Sequence, residues 1–358
     1  MKTGARSLLG PIYATSTSLA FPLSPEEFAV FYGAGSWSHG HLDIIRDPSI
    51  SQAVVELEAR YDDRALLDAS AVCTVRDGLR RGVFVQTPEG GCHGVCPQLK
   101  FDVKYRIPAK LESLAGLGVN ASVFSVSAKE LFPINQLELA TTNAAIELYK
   151  IDSATVKLRT TNAHITADGH ASDSIEVNST NGKIYGGLSA PDVVVTTTNE
   201  QISGHFAVHR RLALVTTNGK ITAAVDLVAP SDAEPTQFDV KVKSTNDKVD
   251  VSYDQQPFGS TLTSHVSSTN GDVLVKHHFN YEGTFALATS NGPATVIGPQ
   301  TTHHPDHDAL RREIIIGGSN KTARMVTGEI GWSGEGRGKV RGTSGVGSTN
   351  AHVGVVFA

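Results

Sequence analysis

The densest set of metal-ligating side chains in the chain is His303-His304-Pro305-Asp306-His307-Asp308. Neutral imidazoles and carboxylates ligate zinc and other divalent cations, so His303, His304 and His307 are the metal candidates, with His277 and His278 as further donors upstream. Their spacing matches no established zinc pattern, and the competing reading is a polar surface loop. Cys92-His93-Gly94-Val95-Cys96, with Cys73 upstream, also supplies zinc-ligand types. The three-residue gap and the single pair favour reduced loop thiols instead. Gly331-Trp332-Ser333-Gly334-Glu335-Gly336-Arg337-Gly338-Lys339 invites comparison with a phosphate-binding loop. That pattern requires Gly where Ser333 stands and Ser or Thr where Val340 stands, and strand-rich sequence follows in place of a helix. Neither a nucleophile elbow nor a His-Glu-x-x-His helix occurs, so no cofactor is expected.

A second kind of chemistry is distributed along the chain. His164, Lys183, Gln201, Lys220 and Lys248 each stand two residues after an Asn, in a series that also holds Ala145, Asp272, Pro293 and His352. Stacked at the ~4.8 Å spacing of neighbouring strands, these five residues make a polar, partly basic row able to follow an extended anionic chain. The plainer reading is a solvated outer face. No carboxylate column occupies that phase, so an enzyme that cleaves polysaccharide with carboxylates from adjacent repeats is the alternative, not the first reading.

The row exists because the chain repeats. A Ser/Thr-Ser/Thr-Asn triplet ends at Asn143, Asn162, Asn181, Asn199, Asn218, Asn246, Asn270, Asn291 and Asn350, with the first five spaced 19, 19, 18 and 19 residues apart. Three residues later stand Ile146, Ile165, Ile184, Ile202, Ile221, Val249, Val273 and Val353, with Ala294 the weak member. Before the Asn, apolar pairs such as Val156/Leu158, Ile175/Val177 and Leu212/Leu214 alternate with polar residues, the period of a strand with one buried face. Asn-Gly also suits hairpins, but a hairpin does not need a fixed 19-residue phase. The expected fold is therefore all-β: a single-stranded parallel β-helix, or β-solenoid, of ~19-residue rungs. In such a stack, columns of identical side chains hydrogen-bond from rung to rung, and Asn tolerates a left-handed corner. The longer gaps of 28, 24 and 59 residues read as inserted loops.

Strand-like runs at His41–Ile45, Ala53–Leu57 and Phe101–Ile107 extend this architecture upstream. Ser24-Pro25-Glu26-Glu27 reads as a capping box, with Leu23 set to staple onto Phe28, so a short N-terminal capping helix is expected to about Phe31. The division expected is residues 1–35 as an N-terminal segment and 36–358 as the solenoid, with an inserted loop at 297–340. Gly40-His41-Leu42-Asp43-Ile44, Tyr105-Arg106-Ile107-Pro108 and the train of Asn corners resemble the adhesin-like β-solenoid domains of bacteria and their mushroom-fungus counterparts over residues 36 to 358. That resemblance implies a parallel β-helix described as adhesin-like, with no catalytic residues to carry over. The chain departs from surface adhesins in lacking a convincing signal, a membrane anchor and a translocation barrel.

Of the 358 residues, 40% are hydrophobic and 19% charged, enough apolar content for a sizeable core. Thirty-one basic against 36 acidic residues give a net charge of -5, which offers no bulk attraction to nucleic acid. No run of ~18 apolar residues is present to span a membrane as a helix. The apolar stretch after Lys2 and Arg6 is broken by Pro11 and by Thr15 to Ser18, against a secretory signal. Three cysteines cannot complete a disulfide framework, which favours the cytoplasm over secretion. The function expected is a non-enzymatic adhesin-like binding or scaffold protein that presents a repetitive surface to an anionic glycan, a polymer or a protein.

Overall fold

The computed structural model describes residues 12–37, 39–90, 98–131, 133–229, 236–298, 303–304, 307–320, 324–333 and 342–357, the side chains of 303–311, 318–320 and 333 excepted. Among these residues the one helix is Arg64–Asp68, and the rest of the regular structure is strand, so the chain is all-β. The sheet is mixed, parallel within the repeats and antiparallel at their edges, and it does not close on itself. Two compact bodies are present, Met1–Tyr149 and Lys150–Ala358.

In the Lys150–Ala358 body the repeat becomes a parallel register. Ile165 pairs with Ile184, Ile184 with Ile202, Ile202 with Ile221, Ile221 with Val249 and Val249 with Val273. All six are at most 3% exposed. Val156/Leu158, Ile175/Val177, Val193/Val195 and Leu212/Leu214 fill the same interior from the preceding strands. Each such side chain contributes roughly 1.5–3 kcal/mol of hydrophobic stabilisation over an exposed one. A one-residue slip would turn the whole apolar set to solvent, so the alternation fixes the register.

The spatial order of the repeats leaves the sequence order at the C-terminal end. Thr343–Ser348 pairs in parallel with Thr261–Ser268 on one side and with Gly283–Thr289 on the other. Val353–Phe357 likewise lies between Val273–His277 and Ala294–Ile297. The last repeat in sequence is thus inserted beneath the one before it. The segment 297–340, expected as a loop, holds the antiparallel strands His307–Asn320 and Met325–Ser333. Met325–Ser333 runs antiparallel along Gly283–Thr289 and covers what would be an open edge.

The Met1–Tyr149 body inserts a terminal repeat in the same way. Phe28–Ala34 pairs in parallel with Arg80–Gln86 and Leu114–Ala121, and His39–Asp47 with Leu99–Pro108 and Val123–Ala128. Antiparallel strands cover the edges: Ala53–Tyr61 on Leu99–Pro108, Tyr13–Phe21 on Ala53–Tyr61, and Ala71–Asp77 on Arg80–Gln86. The expected capping helix is not formed. Its capping-box contacts do form, with Ser24 N–H donating to Glu27 Oε2 at 2.9 Å and Glu27 N–H to the Ser24 carbonyl at 3.1 Å, but they close only a turn. In Phe28-Ala29-Val30-Phe31-Tyr32 the three central residues are buried in the sheet, Ala29 and Phe31 at 0% exposure and Val30 at 2%, and that burial outweighs the local helix signal.

Candidate functional site

The corners of the Lys150–Ala358 body are built by two ladders of polar side chains. The outer ladder is the Asn column. Asn181 Nδ2 donates to Asn162 Oδ1, and Asn199, Asn218, Asn246, Asn270, Asn350 and Asn291 follow in that order, each donating to the one before at 2.5–2.7 Å. Placing Asn350 before Asn291 repeats the inserted order of the strands. None of these Asn has positive φ among the described residues, so the column is there for its amide chain and not for a left-handed corner.

The inner ladder uses the buried hydroxyl two residues before each Asn. Ser268 Oγ accepts from Gly271 N–H at 3.0 Å and donates to the Asp247 carbonyl of the preceding repeat at 2.9 Å. Ser348 does the same with Ala351 N–H and the Gly271 carbonyl. Thr216 and Ser244 likewise close their own corners and tie them to the preceding repeat.

Directly after these corners stand the five candidate residues. The structure brings them together: the carbonyls of Lys183, Gln201, Lys220 and Lys248 accept from Ile165, Ile184, Ile202 and Ile221 N–H at 2.9–3.0 Å, which stacks His164, Lys183, Gln201, Lys220 and Lys248 on consecutive repeats. His164, Lys183, Gln201 and Lys220 are exposed and Lys248 is half-buried. Lys248 Nζ lies 3.6 Å from Asp250 Oδ2, so its charge is partly compensated. Farther along the same strands, His205 Nε2 is 2.9 Å from the buried carboxylate of Asp226.

The metal candidates fare differently. The side chains of His303, His304 and His307, with Cys92 and Cys96, lie outside the described residues. Among the described residues no His, Cys, Asp and Glu converge into a cation site. His277, expected as an extra donor, is instead a core residue at 0% exposure. It is stacked between Tyr253 and Tyr281 at ring separations of 5.1 and 4.2 Å, with Nε2 2.9 Å from Ser344 Oγ. Burial, reinforced by the Arg312 guanidinium, pushes its pKa down to about 3 and keeps it neutral.

A polar hollow of about 660 Å3 in the Met1–Tyr149 body was not legible in the sequence. It lies on the outer face of the sheet made by Tyr13–Phe21, Ala53–Tyr61, Leu99–Pro108, His39–Asp47 and Val123–Ala128, where Glu58 faces Asp102, which in turn faces His41. Ser125 Oγ is 2.9 Å from His41 Nδ1, Ser127 Oγ is 3.1 Å from His41 Nε2, and Ser127 donates to Asp43 Oδ1 at 2.9 Å. Arg60 bonds both carboxylates, Glu58 at 2.9 Å and Asp102 at 3.2 Å. The members come from five strands far apart in sequence, so no spacing announces them. The only local signal is the charged residue at alternate positions of each strand.

No family model matches the chain, and no curated protein matches it. Among solved structures, it is similar to a "putative adhesin" from Bacteroides fragilis at 8% identity and TM-score 0.39, covering 95% of this chain and 97% of that one. A "putative cell adhesion protein" from Clostridium sporogenes aligns at 8% identity and TM-score 0.20, over 96% and 100% of the two chains. A "putative lipid binding protein" from Parabacteroides distasonis aligns at 12% identity and TM-score 0.38, over 73% and 89%.

Proposed function

We propose that the protein is a non-enzymatic, adhesin-like binding or scaffold protein whose two bodies are each a stretch of β-solenoid. Its ligand-binding wall is the row His164, Lys183, Gln201, Lys220 and Lys248, and its partner is an anionic glycan or an acidic protein surface. The observation that carries this reading is the unbroken Asn ladder. It holds consecutive repeats in register, so wall side chains recur at the strand spacing of ~4.8 Å and can meet successive charges of an extended polymer. The net charge of -5 does not oppose this, because exposed charges more than about 8–10 Å away are screened at physiological salt.

The test is binding to polygalacturonate across a salt series. Lys183→Ala combined with Lys220→Ala is expected to weaken binding and flatten its salt dependence. Unchanged affinity in that variant rules out the row, and stoichiometric zinc in the purified protein moves the site to His303, His304 and His307.

The second reading is a carbohydrate-active enzyme, favoured by the Glu58–Asp102 pair in the polar hollow. Against it, Arg60 ties the two carboxylates into one ion-pair ladder. Ser127, for its part, gives its proton to Asp43 and not to His41, so its oxygen is not set as a nucleophile. Hydrolysis of any polysaccharide, abolished by Glu58→Gln, reverses the ranking.

A further inference from the structure

One wall of the Met1–Tyr149 body breaks the polar pattern of the others. Phe28 and Tyr32 are half-buried on the face of Phe28–Ala34 opposite the core residues Ala29 and Phe31, and Val30 between them on that face is covered to 2% exposure. Both neighbouring strands present glycine beside them. Gly82 and Gly118 stand opposite Val30, and Gly116 stands opposite Phe28. A Cβ on Gly116 would lie 2.1 Å from the Phe28 ring, so that glycine is what lets the ring spread over the adjacent strand. Gly118 is different. A Cβ there would meet Val30 Cγ1 at 3.5 Å, an ordinary contact, so packing does not require the space above it to be empty.

The result is a groove of about 570 Å3 with Val30 and Gly118 in its floor and an aromatic ring toward each end. Phe28 and Tyr32 are four residues apart on one strand, about 13 Å at ~3.3 Å per residue. The far side is lined by Gln136 and Glu138, which stand opposite Gly116 and Gly118, and by Asn120 opposite Tyr32. Arg80 Nη1 donates to the Tyr32 hydroxyl at 3.2 Å and holds that ring in place.

We propose that this groove binds a neutral oligosaccharide. Sugar rings offer apolar C–H faces that pack on aromatic faces, and vicinal hydroxyls that take paired hydrogen bonds from planar amide, carboxylate and guanidinium groups. Both kinds of partner line the groove. Asp77 and Glu138 against Arg80 leave the lining mildly acidic, so the site has no pull on an anionic ligand. An acyl chain would use the aromatic rings but leave Asn120, Gln136 and Glu138 without the partners that a sugar's hydroxyls supply, at up to about 1–3 kcal/mol each where they are desolvated. The site shares no residue with the basic row of the Lys150–Ala358 body and carries the opposite salt signature, so either proposal can fail alone.

The test is titration calorimetry of the full chain with cellohexaose, chitohexaose and mannohexaose, with palmitate and polygalacturonate as controls. At least one neutral hexasaccharide is expected to bind, with affinity unchanged between about 0.05 and about 0.5 M salt. Gly118→Val fills the groove from a strand position that accepts a side chain, and is expected to weaken that binding by about 10-fold or more with an unchanged thermal midpoint. Tyr32→Phe is expected to retain the stacking and most of the affinity, while Lys183→Ala with Lys220→Ala leaves it untouched. Binding of none of the three hexasaccharides, competition by palmitate, or full affinity in Gly118→Val overturns the proposal.

Discussion

The two bodies stack parallel strands with the same geometry and differ in the polar contacts that reinforce the register. In Lys150–Ala358 neutral ladders, the Asn amides outside and the Ser/Thr hydroxyls inside, recur along the corners, with inter-strand ion pairs such as Arg159 to Glu176 at 3.1 Å kept to the walls. In Met1–Tyr149 much of the polar work is done by ion pairs between particular residues. Arg106 joins Asp47 and Glu56 at 2.5 and 2.6 Å, and Arg81 reaches Glu27 at 3.0 Å. A ladder of one residue type leaves the flanking wall positions free to repeat, as in the basic row. Individually matched pairs let neighbouring walls differ, and the polar hollow and the aromatic groove both occur in that body.

The largest effect separates the shared interior from the wall. Ile184→Ala is expected to cost roughly 2–5 kcal/mol in denaturant unfolding, because Ile184 is 3% exposed in a stacked column. A loss below that range would mean that the column tolerates a cavity.

Acid should destabilise the Lys150–Ala358 body through His277. Burial depresses its folded pKa to about 3, while the unfolded side chain titrates near 6.5. The unfolded state therefore binds the extra proton between those values, and stability falls as pH drops through that window, by up to about 1.4 kcal/mol per pH unit. Urea midpoints of His277→Phe should be flatter over the same range; an unchanged slope would assign the acid sensitivity elsewhere.

The ladders and the ion pairs respond differently to salt. Asn218→Ala removes two ladder bonds and is expected to cost about 1–2 kcal/mol, the same in dilute and concentrated salt. Arg106→Gln should be smaller and should shrink with salt. Hydrogen bonds from Ser49 and Arg106 hold Asp47 down at about 2, so its stabilisation is present above the ordinary carboxylate range and lost as pH falls toward 2. Equal salt sensitivity in thermal melts of the two variants would erase the distinction between the bodies. The smallest effect belongs to Lys183→Ala with Lys220→Ala, whose thermal midpoint should match the parent because both side chains are exposed.

The sequence was most legible where one residue type recurs for one reason. The Asn phase and the apolar columns announced parallel stacking, and Ile165, Ile184, Ile202 and Ile221 are buried where the period puts them. The left-handed corner that Asn tolerates is not used by these residues, and a single repeat does not show that Ser268 reaches the Asp247 carbonyl of the repeat before it. The inserted repeats were invisible for a related reason. Phe28–Ala34 and Thr343–Ser348 find their neighbours through pairings that no local pattern encodes, and the capping-box residues at 24–27 pointed to a helix that sheet pairing overrode. Of the candidate sites, the basic row followed from the period. The two hollows of the first body depend on strands brought together from across some hundred residues.

The central structural claim is the ladder order, with the last repeat inserted between its two predecessors, and cysteine cross-linking tests it most directly. Thr263 pairs with Thr343, and Thr343 with Thr284, so neighbouring Cα atoms should lie ~4.8 Å apart and the outer two about twice that. Disulfides require Cα separations below about 7 Å. In a chain with Cys73, Cys92 and Cys96 changed to Ser, oxidation should close Thr263→Cys with Thr343→Cys, and Thr343→Cys with Thr284→Cys. The pair Thr263→Cys with Thr284→Cys should stay reduced. Rapid closure of that last pair, with the other two open, would show that the repeats follow sequence order and would contradict the account.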